Sequence, residues 1–339
     1  MKIFTEKILN AEELLEAATA FRISKTIFAA VDLRLFDWIA EGSVDSKCLA
    51  GKMGIGHEAL SRVLDACTSL GLLQKEGDDY RNTPLAAQYL CWSSKATLNH
   101  TLQRYNEIDY LAWGHLEKAI CGYCPPLPAE AASSEAKIQF QARMDGYMRL
   151  VLPELIAHFD LSGVKSLIDL GGGTGAFAIA VCEAYENVGA AILDRMLEDE
   201  DVKDHAYQLL EKSNVVNKGN VKFVGGDYRK GEFPQTDLFI ASRVLHHHSN
   251  GEIRKLIHRV AAATPTGGAF LIAEPLLDDD RTGRIRAMSG SLSMMLWNGQ
   301  FKQRSFKEFA DLAREAGFKE EKRFQAGGAG IDALLLRKH

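Results

Sequence analysis

The chain has 339 residues, 46% of them hydrophobic and 25% charged, with a formal net charge of −5. That length can hold two domains and a sizeable core, and the composition is ordinary for a water-soluble protein. The negative balance argues against a general nucleic-acid or membrane-surface binder; no run approaches the ~18 apolar residues of a transmembrane helix, and the start lacks the apolar core and cleavage site of a signal peptide.

Residues 1–105 are predicted to be helical. Residues 6–20 place Ile8, Leu9, Leu14, Leu15 and Ala18 on one side, and 21–35 and 60–73 repeat that period. Residues 46–53, the turn Gly54-Ile55-Gly56 and residues 57–70 form a helix-turn-helix pattern, with a two-stranded wing expected at 72–80. The second helix would expose His57, Glu58, Ser61, Arg62, Asp65 and Thr68. One basic residue against two acidic ones is poor for phosphate contact, so the pattern reads as packing or dimerisation rather than DNA binding.

Residues 106–160 read as a helical linker, interrupted by a Pro-rich turn at 124–128 and a run of small residues at 129–134. Over 140–150, Phe140, Met144, Tyr147 and Met148 share one helical face. Such a stripe is either core or the wall of a pocket between domains, to which Met adapts well. The six cysteines, at 48, 67, 91, 121, 124 and 182, read as reduced thiols of a cytoplasmic protein. Cys121 and Cys124 have redox or metal spacing, but no second pair or nearby His completes a zinc set, and no metal is expected.

From 161 to 339 strands alternate with helices. Strands are predicted at 167–170, 190–193, 221–224, 238–241 and 269–273, helices at 175–186, 202–214, 250–263 and 305–316, and a terminal strand pair at 322–324 and 331–336. This is an open α/β sheet, which binds ligands at the carboxyl ends of its strands.

Residues 166–176 read Ser-Leu-Ile-Asp-Leu-Gly-Gly-Gly-Thr-Gly-Ala: a strand, a tight turn and a helix start. Gly171, Gly173 and Gly175 let a ligand approach the backbone, and the helix start offers free N–H groups. Asp194 ends the next apolar run, where a carboxylate suits a ribose diol. The turn also fits a loose dinucleotide fingerprint, so alone it leaves NAD open. Three features favour S-adenosylmethionine. The turn has the denser form Asp169-x-Gly-x-Gly-x-Gly. After the third strand comes Gly226-Asp227-Tyr228, where Asp227 can accept from an adenine amino group and Tyr228 can lie against the ring. The fourth strand ends in Ser242-Arg243-Val244-Leu245-His246, which supplies a base.

This constellation resembles the plant-type two-domain small-molecule O-methyltransferases, including the acetylserotonin and hydroxyindole O-methyltransferase group. The N-terminal part is similar at Leu70-Gly71-Leu72-Leu73 and Tyr80-Arg81-Asn82-Thr83-Pro84. The remainder matches at 169–175, Gly226-Asp227, Arg243-Val244-Leu245-His246, Ala273-Glu274-Pro275-Leu276-Leu277, Arg304-Ser305, Glu308-Phe309 and Ala316-Gly317-Phe318. The resemblance implies an α/β protein. A Rossmann-like class I methyltransferase domain (161–339) would be preceded by an all-helical winged-helix dimerisation domain (1–105), with the 106–160 linker contributing to the substrate pocket. It implies a homodimer in secondary metabolism that transfers a methyl group by SN2 from S-adenosyl-L-methionine, leaving S-adenosyl-L-homocysteine, to a small hydroxylated aromatic. By resemblance His246 is the general base with Glu274 behind it. Asp169, Gly171, Gly173, Gly175, Asp194, Asp227, Tyr228, Ser242 and Arg243 would hold the cofactor. Phe140, Met144, Tyr147, Met294, Trp297 and Asn298 would line the acceptor pocket.

Two departures stand out. The family's His-Asp-Trp becomes His246-His247-His248, and a second supporting Glu becomes Gln303, which can accept a hydrogen bond but carries no charge. Both predict a weaker base, adequate for an acidic phenol or enol and dispensable for an amine or ring nitrogen. N- or C-methylation of a heteroaromatic compound, or a member that does not methylate, therefore stays open. A ligand-sensing winged-helix regulator is disfavoured by the acidic second helix, and an NAD-dependent oxidoreductase by Gly226-Asp227. On a loop after a strand, His246 and His247 are expected to point apart with no carboxylate beside them, which argues against a metal site.

Overall fold

The structure, a computed structural model, describes residues 7–40, 42, 44–123, 133–283, 285–298 (the backbone only at 298), 302–327 and 330–339. The Pro-rich turn and most of the small-residue run lie outside the described residues, as does Cys124. The chain divides into two compact units, 7–111 and 112–339.

The first unit opens with α1 (Ala11–Thr19), five residues later than its apolar spacing predicts, because Asn10 caps it by accepting from Glu13 N–H at 2.9 Å. The single helix expected over 21–35 is broken into α2 (Phe21–Asp32) and α3 (Leu35–Ala40). Between them Arg34 takes a left-handed conformation, φ 54°. β1 (Val44–Asp45) leads into α4 (Ser46–Met53), which ends at left-handed Gly54, and α5 (His57–Ser69) follows. The wing is β2 (Leu73–Glu76) and β3 (Asp79–Asn82). β1 pairs antiparallel with β3, so this unit is not all-helical but carries a three-stranded sheet, order β1-β3-β2. A two-residue strand is too short for periodicity to reveal. Asp65 on α5 accepts from buried Tyr80 and from Lys75, both at 2.6 Å, which ties the wing to the helix. Phe36, Leu49, Leu60, Leu64 and Tyr80 form the core. α6 (Pro84–Tyr89), α7 (Asn99–Arg104) and a π-helical turn (Tyr105–Asp109) complete the unit, and α8 (Tyr110–Trp113) spans the boundary.

The second unit contains α9 (Leu116–Ile120) and α10 (Ser134–His158), then an alternating series: β4 (Ser166–Leu170), α11 (Ala176–Ala184), β5 (Gly189–Asp194), α12 (Glu200–Glu211), β6 (Val221–Gly225), β7 (Leu238–Ser242), α13 (Asn250–Ala263), β8 (Ala269–Glu274), α14 (Ile285–Asn298), α15 (Phe306–Arg314), β9 (Phe318–Phe324) and β10 (Asp332–Lys338). The sheet runs β6-β5-β4-β7-β8-β10-β9. β4 to β8 are parallel, and β10 is antiparallel to both its neighbours. Helices cover both faces, as the unbroken apolar strands require. Leu167 faces the cluster containing Leu152, Phe177 and Val202, and the next residue, Ile168, faces that of Ile257 and Phe309. Strand order reverses between β4 and β7. The crevice at their carboxyl ends is where such sheets bind ligands.

Candidate active site

β4 delivers the chain into the glycine turn. Gly171 and Gly173 have φ of 69° and 56°, a region that glycine enters without strain. A Cβ on Gly171 would meet Val244 Cγ1 at 2.6 Å, and one on Gly173 would meet Gln141 Oε1 at 2.2 Å. A side chain at Gly171 would collide with Val244, and one at Gly173 would have to displace the end of Gln141. Asp194, the last residue of β5, accepts from Gly173 N–H at 3.0 Å and from Met196 N–H at 2.8 Å. Burial raises its pKa, and those two N–H groups work against the rise. Each of its oxygens keeps a second lone pair for a ribose hydroxyl. Asp227 follows β6. Arg229 grips both its oxygens, Nε and Nη2 each at 2.8 Å, and holds the carboxyl well below the usual range. An adenine amino group would share that carboxylate with an ion pair. Asp169 lies beneath the turn rather than beside it: a Cβ on Gly172 would meet its Cγ at 2.5 Å. Among the described residues no donor stands in good hydrogen-bond geometry to its oxygens, although the Ala178 N–H works against the rise that burial causes. Burial pushes its pKa up to about 7, and the charge of Asp194 adds to the effect. A left-handed glycine turn flanked by two strand-end carboxylates fits a nucleoside.

The neighbouring half of the crevice is built from side chains. After Ser242, Arg243 adopts φ 56° and its N–H bonds Ala273 O at 2.9 Å. The chain then enters a 3-10 turn, Leu245–His247. His246 is 7% exposed, and its Nδ1 lies 2.7 Å from Oε2 of Glu274, the last residue of β8. The other Glu274 oxygen accepts from Leu245 N–H at 2.8 Å. Burial would raise the Glu274 pKa, but His246 and the Leu245 N–H prevail and hold it below its ordinary value. With a proton on Nδ1 donated to Glu274, Nε2 is left as the acceptor. The His246 and His247 rings do not point apart as expected. Their centroids are 4.0 Å apart, because the segment is a tight 3-10 turn rather than an extended loop, and a carboxylate does stand beside them. His247 is exposed at the surface, yet the protein packed beside its ring pushes it down to about 4, with His246 adding to the effect and solvent opposing it.

Gln303 is 2% exposed, and its Oε1 has no hydrogen-bond partner among the described residues. Its neighbours grip the base turn instead. Lys302 N–H bonds His246 O at 3.1 Å, and Arg304 donates to His248 O at 2.7 Å and to Asn250 Oδ1 at 2.8 Å.

Of the expected acceptor-lining residues, Phe140, Met144 and Tyr147 lie on α10, with the Arg243 guanidinium 5.4 Å from the Tyr147 ring centre. Met148, on the same face, belongs to the core, and Tyr147 packs against that core. Met294 and Trp297 are half-buried on α14. They lie one and two turns beyond Gly290, where a Cβ would stand 3.7 Å from Gln303 Nε2. Asn298 ends that helix, and its side chain lies outside the described residues. Sequence reasoning missed Gln141 and Asp145, the buried polar positions of the α10 face that continues as Met148, Leu152 and Leu155. Asp145 accepts from the Thr174 hydroxyl in the glycine turn, and burial pushes its carboxyl up to about 6. Two polar residues spaced i, i+4 on an otherwise apolar stripe were the available signal.

Family models match in two segments: an O-methyltransferase domain at residues 117–319 and an O-methyltransferase dimerisation domain at 15–91. Acetylserotonin O-methyltransferase of Bos taurus is 31% identical over 343 aligned residues, covering 96% of this chain and 97% of that one. The N,N-dimethyltransferase OxyT of Streptomyces rimosus is 29% identical, with 92% of each chain covered. The structure of human N-acetylserotonin methyltransferase in complex with S-adenosylmethionine is similar at a TM-score of 0.81 and 30% identity, over 98% of this chain and 99% of that one. The glycine turn, the strand-end carboxylates and these matches along the whole chain agree, and the protein belongs to the S-adenosylmethionine-dependent O-methyltransferases whose catalytic domain follows a dimerisation domain.

Proposed function

We propose that the protein methylates a hydroxyl group of a small aromatic metabolite, with His246 taking the hydroxyl proton. The observation that carries this reading is the buried His246–Glu274 pair, 2.7 Å apart, which leaves Nε2 as an acceptor when Nδ1 carries the proton. When bound, S-adenosylmethionine supplies an already activated methyl group. The protein's task is then to align the acceptor and remove its proton. Glu274 fixes the imidazole and stabilises the imidazolium that forms. Asp194 binds the ribose, Asp227 and Tyr228 the adenine, and Gly171, Gly173 and Gly175, with Ser242 and Arg243 at the adjoining strand end, the remainder of the cofactor. Asp169 supports the turn from below, and Gln303 supports the base turn. Phe140, Met144, Tyr147, Met294, Trp297 and Asn298 receive the acceptor, and their mostly apolar character suits a flat ring. The chain acts as a homodimer through its N-terminal unit. In support, no residue of α1 is buried, and Leu14 and Leu15 are 56% and 66% exposed. The free cysteines 48, 67, 91, 121 and 182 suit the cytoplasm.

A screen with labelled S-adenosylmethionine across phenols, hydroxyindoles, quinols and heterocyclic amines tests the reading. Transfer to phenolic or enolic oxygen is expected. Transfer confined to nitrogen would replace it with the second reading, an N-methyltransferase, which the likeness to OxyT and the uncharged Gln303 favour.

A further inference from the structure

Tyr228 touches both halves of the crevice. A Cβ on Gly171 would lie 3.1 Å from its Cε1, so the ring edge borders the glycine turn. Its hydroxyl lies 2.6 Å from His248 Nε2, and the two rings meet edge to face at 5.8 Å and 74°. Each partner is anchored separately. Arg259 donates to the carbonyls of Tyr228, Lys230 and Gly231 at 3.0, 2.8 and 2.7 Å and so fixes the turn that carries Tyr228. Arg304 holds the His248 carbonyl at 2.7 Å. Burial raises the Tyr228 pKa and lowers that of His248, which favours the neutral form of each; with Nε2 unprotonated, the phenol donates and the imidazole accepts. A bond with both ends clamped on different elements transmits position. A bond between two free side chains would not.

We propose that His248 is a positioning residue for the cofactor: by accepting from the Tyr228 hydroxyl it fixes that ring against the glycine turn and ties the cofactor-binding turn 226–231 to the base turn 245–248. This rests on the reading of Tyr228 as a cofactor-facing ring. Neither residue acts on the transferred methyl group.

Calorimetry with S-adenosylhomocysteine on the full chain tests the link. Tyr228→Phe and His248→Phe should each weaken binding about 3- to 10-fold, the scale of one hydrogen bond. The double variant should bind no worse than either single, because both remove the same bond. His248→Gln, whose amide oxygen can accept, should bind within about twofold of the parent. The proposal is overturned if the single variants bind like the parent, if their effects multiply, or if His248→Gln binds as weakly as His248→Phe. Tyr228→Ala separates this failure from that of the underlying reading. If even that change leaves affinity intact, the ring does not face the cofactor; if it alone weakens binding, only the link fails. Melting curves for each variant establish that it is folded.

Discussion

At the ends of β4 and β5 the crevice is made of backbone. Gly171 and Gly173 present bare main chain, and Asp194 is fixed by two main-chain N–H groups. At the ends of β7 and β8 it is made of side chains gathered from afar: Glu274 is 28 positions from His246, and Arg304 is 56 from His248. The first half is shaped by local conformation, which a short sequence motif can specify. The second is shaped by tertiary contacts, which no short motif contains. Outside the Tyr228–His248 link, substitutions should therefore divide. Backbone changes in the cofactor half should damage affinity, and side-chain changes in the base half should damage turnover.

The largest effect on affinity should come from Gly171→Val. It forces a β-branched residue to φ 69° and drives Cβ toward Val244 Cγ1, 2.6 Å away. The turn should relax away from this strain, and restoring the binding geometry against about 1–3 kcal/mol predicts roughly a 5- to 150-fold loss of S-adenosylhomocysteine affinity by calorimetry. Binding within twofold would break the distinction between the halves. Next, Glu274→Gln keeps a hydrogen-bonding group beside Nδ1 but removes the charge that stabilises the imidazolium. About a tenfold fall in kcat is expected on an oxygen acceptor, with S-adenosylhomocysteine binding unchanged. A shift in affinity instead would show that Glu274, and not His248 alone, shapes the cofactor site from the base half.

The smallest effect separates the halves by pH. Asp169 is raised to about 7 in the fold from about 3.9 unfolded. Its favourable contribution is complete below pH ~4 and is lost as pH rises through 7. Asp145, raised to about 6, acts in the same sense. His247 is lowered to about 4 from about 6.5 unfolded. Its contribution is present above pH ~6.5 and is lost as pH falls through 4. Asp169→Asn should thus raise Tm relative to the parent more at pH 7.5 than at pH 5, and His247→Gln more at pH 5 than at pH 7.5, each by a few degrees at most. The same trend for both variants would contradict these assignments.

The same contrast governs what the sequence reveals. The strand series, the glycine turn and the position of Asp194 are visible because apolar runs and glycines act locally. Arg34 broke an expected helix because a single left-handed residue leaves the apolar period undisturbed. β1 was too short to register. The Arg229 grip on Asp227, the Asp145–Thr174 bond and the Tyr228–His248 bond were hidden, because each depends on how side chains are brought together rather than on residue type. The three histidines misled for the same reason: the 3-10 turn that brings the His246 and His247 rings together, tilted at 48°, is held by Glu274 and Arg304 from other elements.

The central claim is that His246 accepts the proton of an oxygen acceptor. The most direct measurement is transfer of labelled methyl from S-adenosylmethionine to a phenol by the His246→Ala variant. The account predicts a fall in kcat of about 10²- to 10⁴-fold, with S-adenosylhomocysteine affinity within twofold of the parent. Turnover of the same phenol within about twofold of the parent would contradict it.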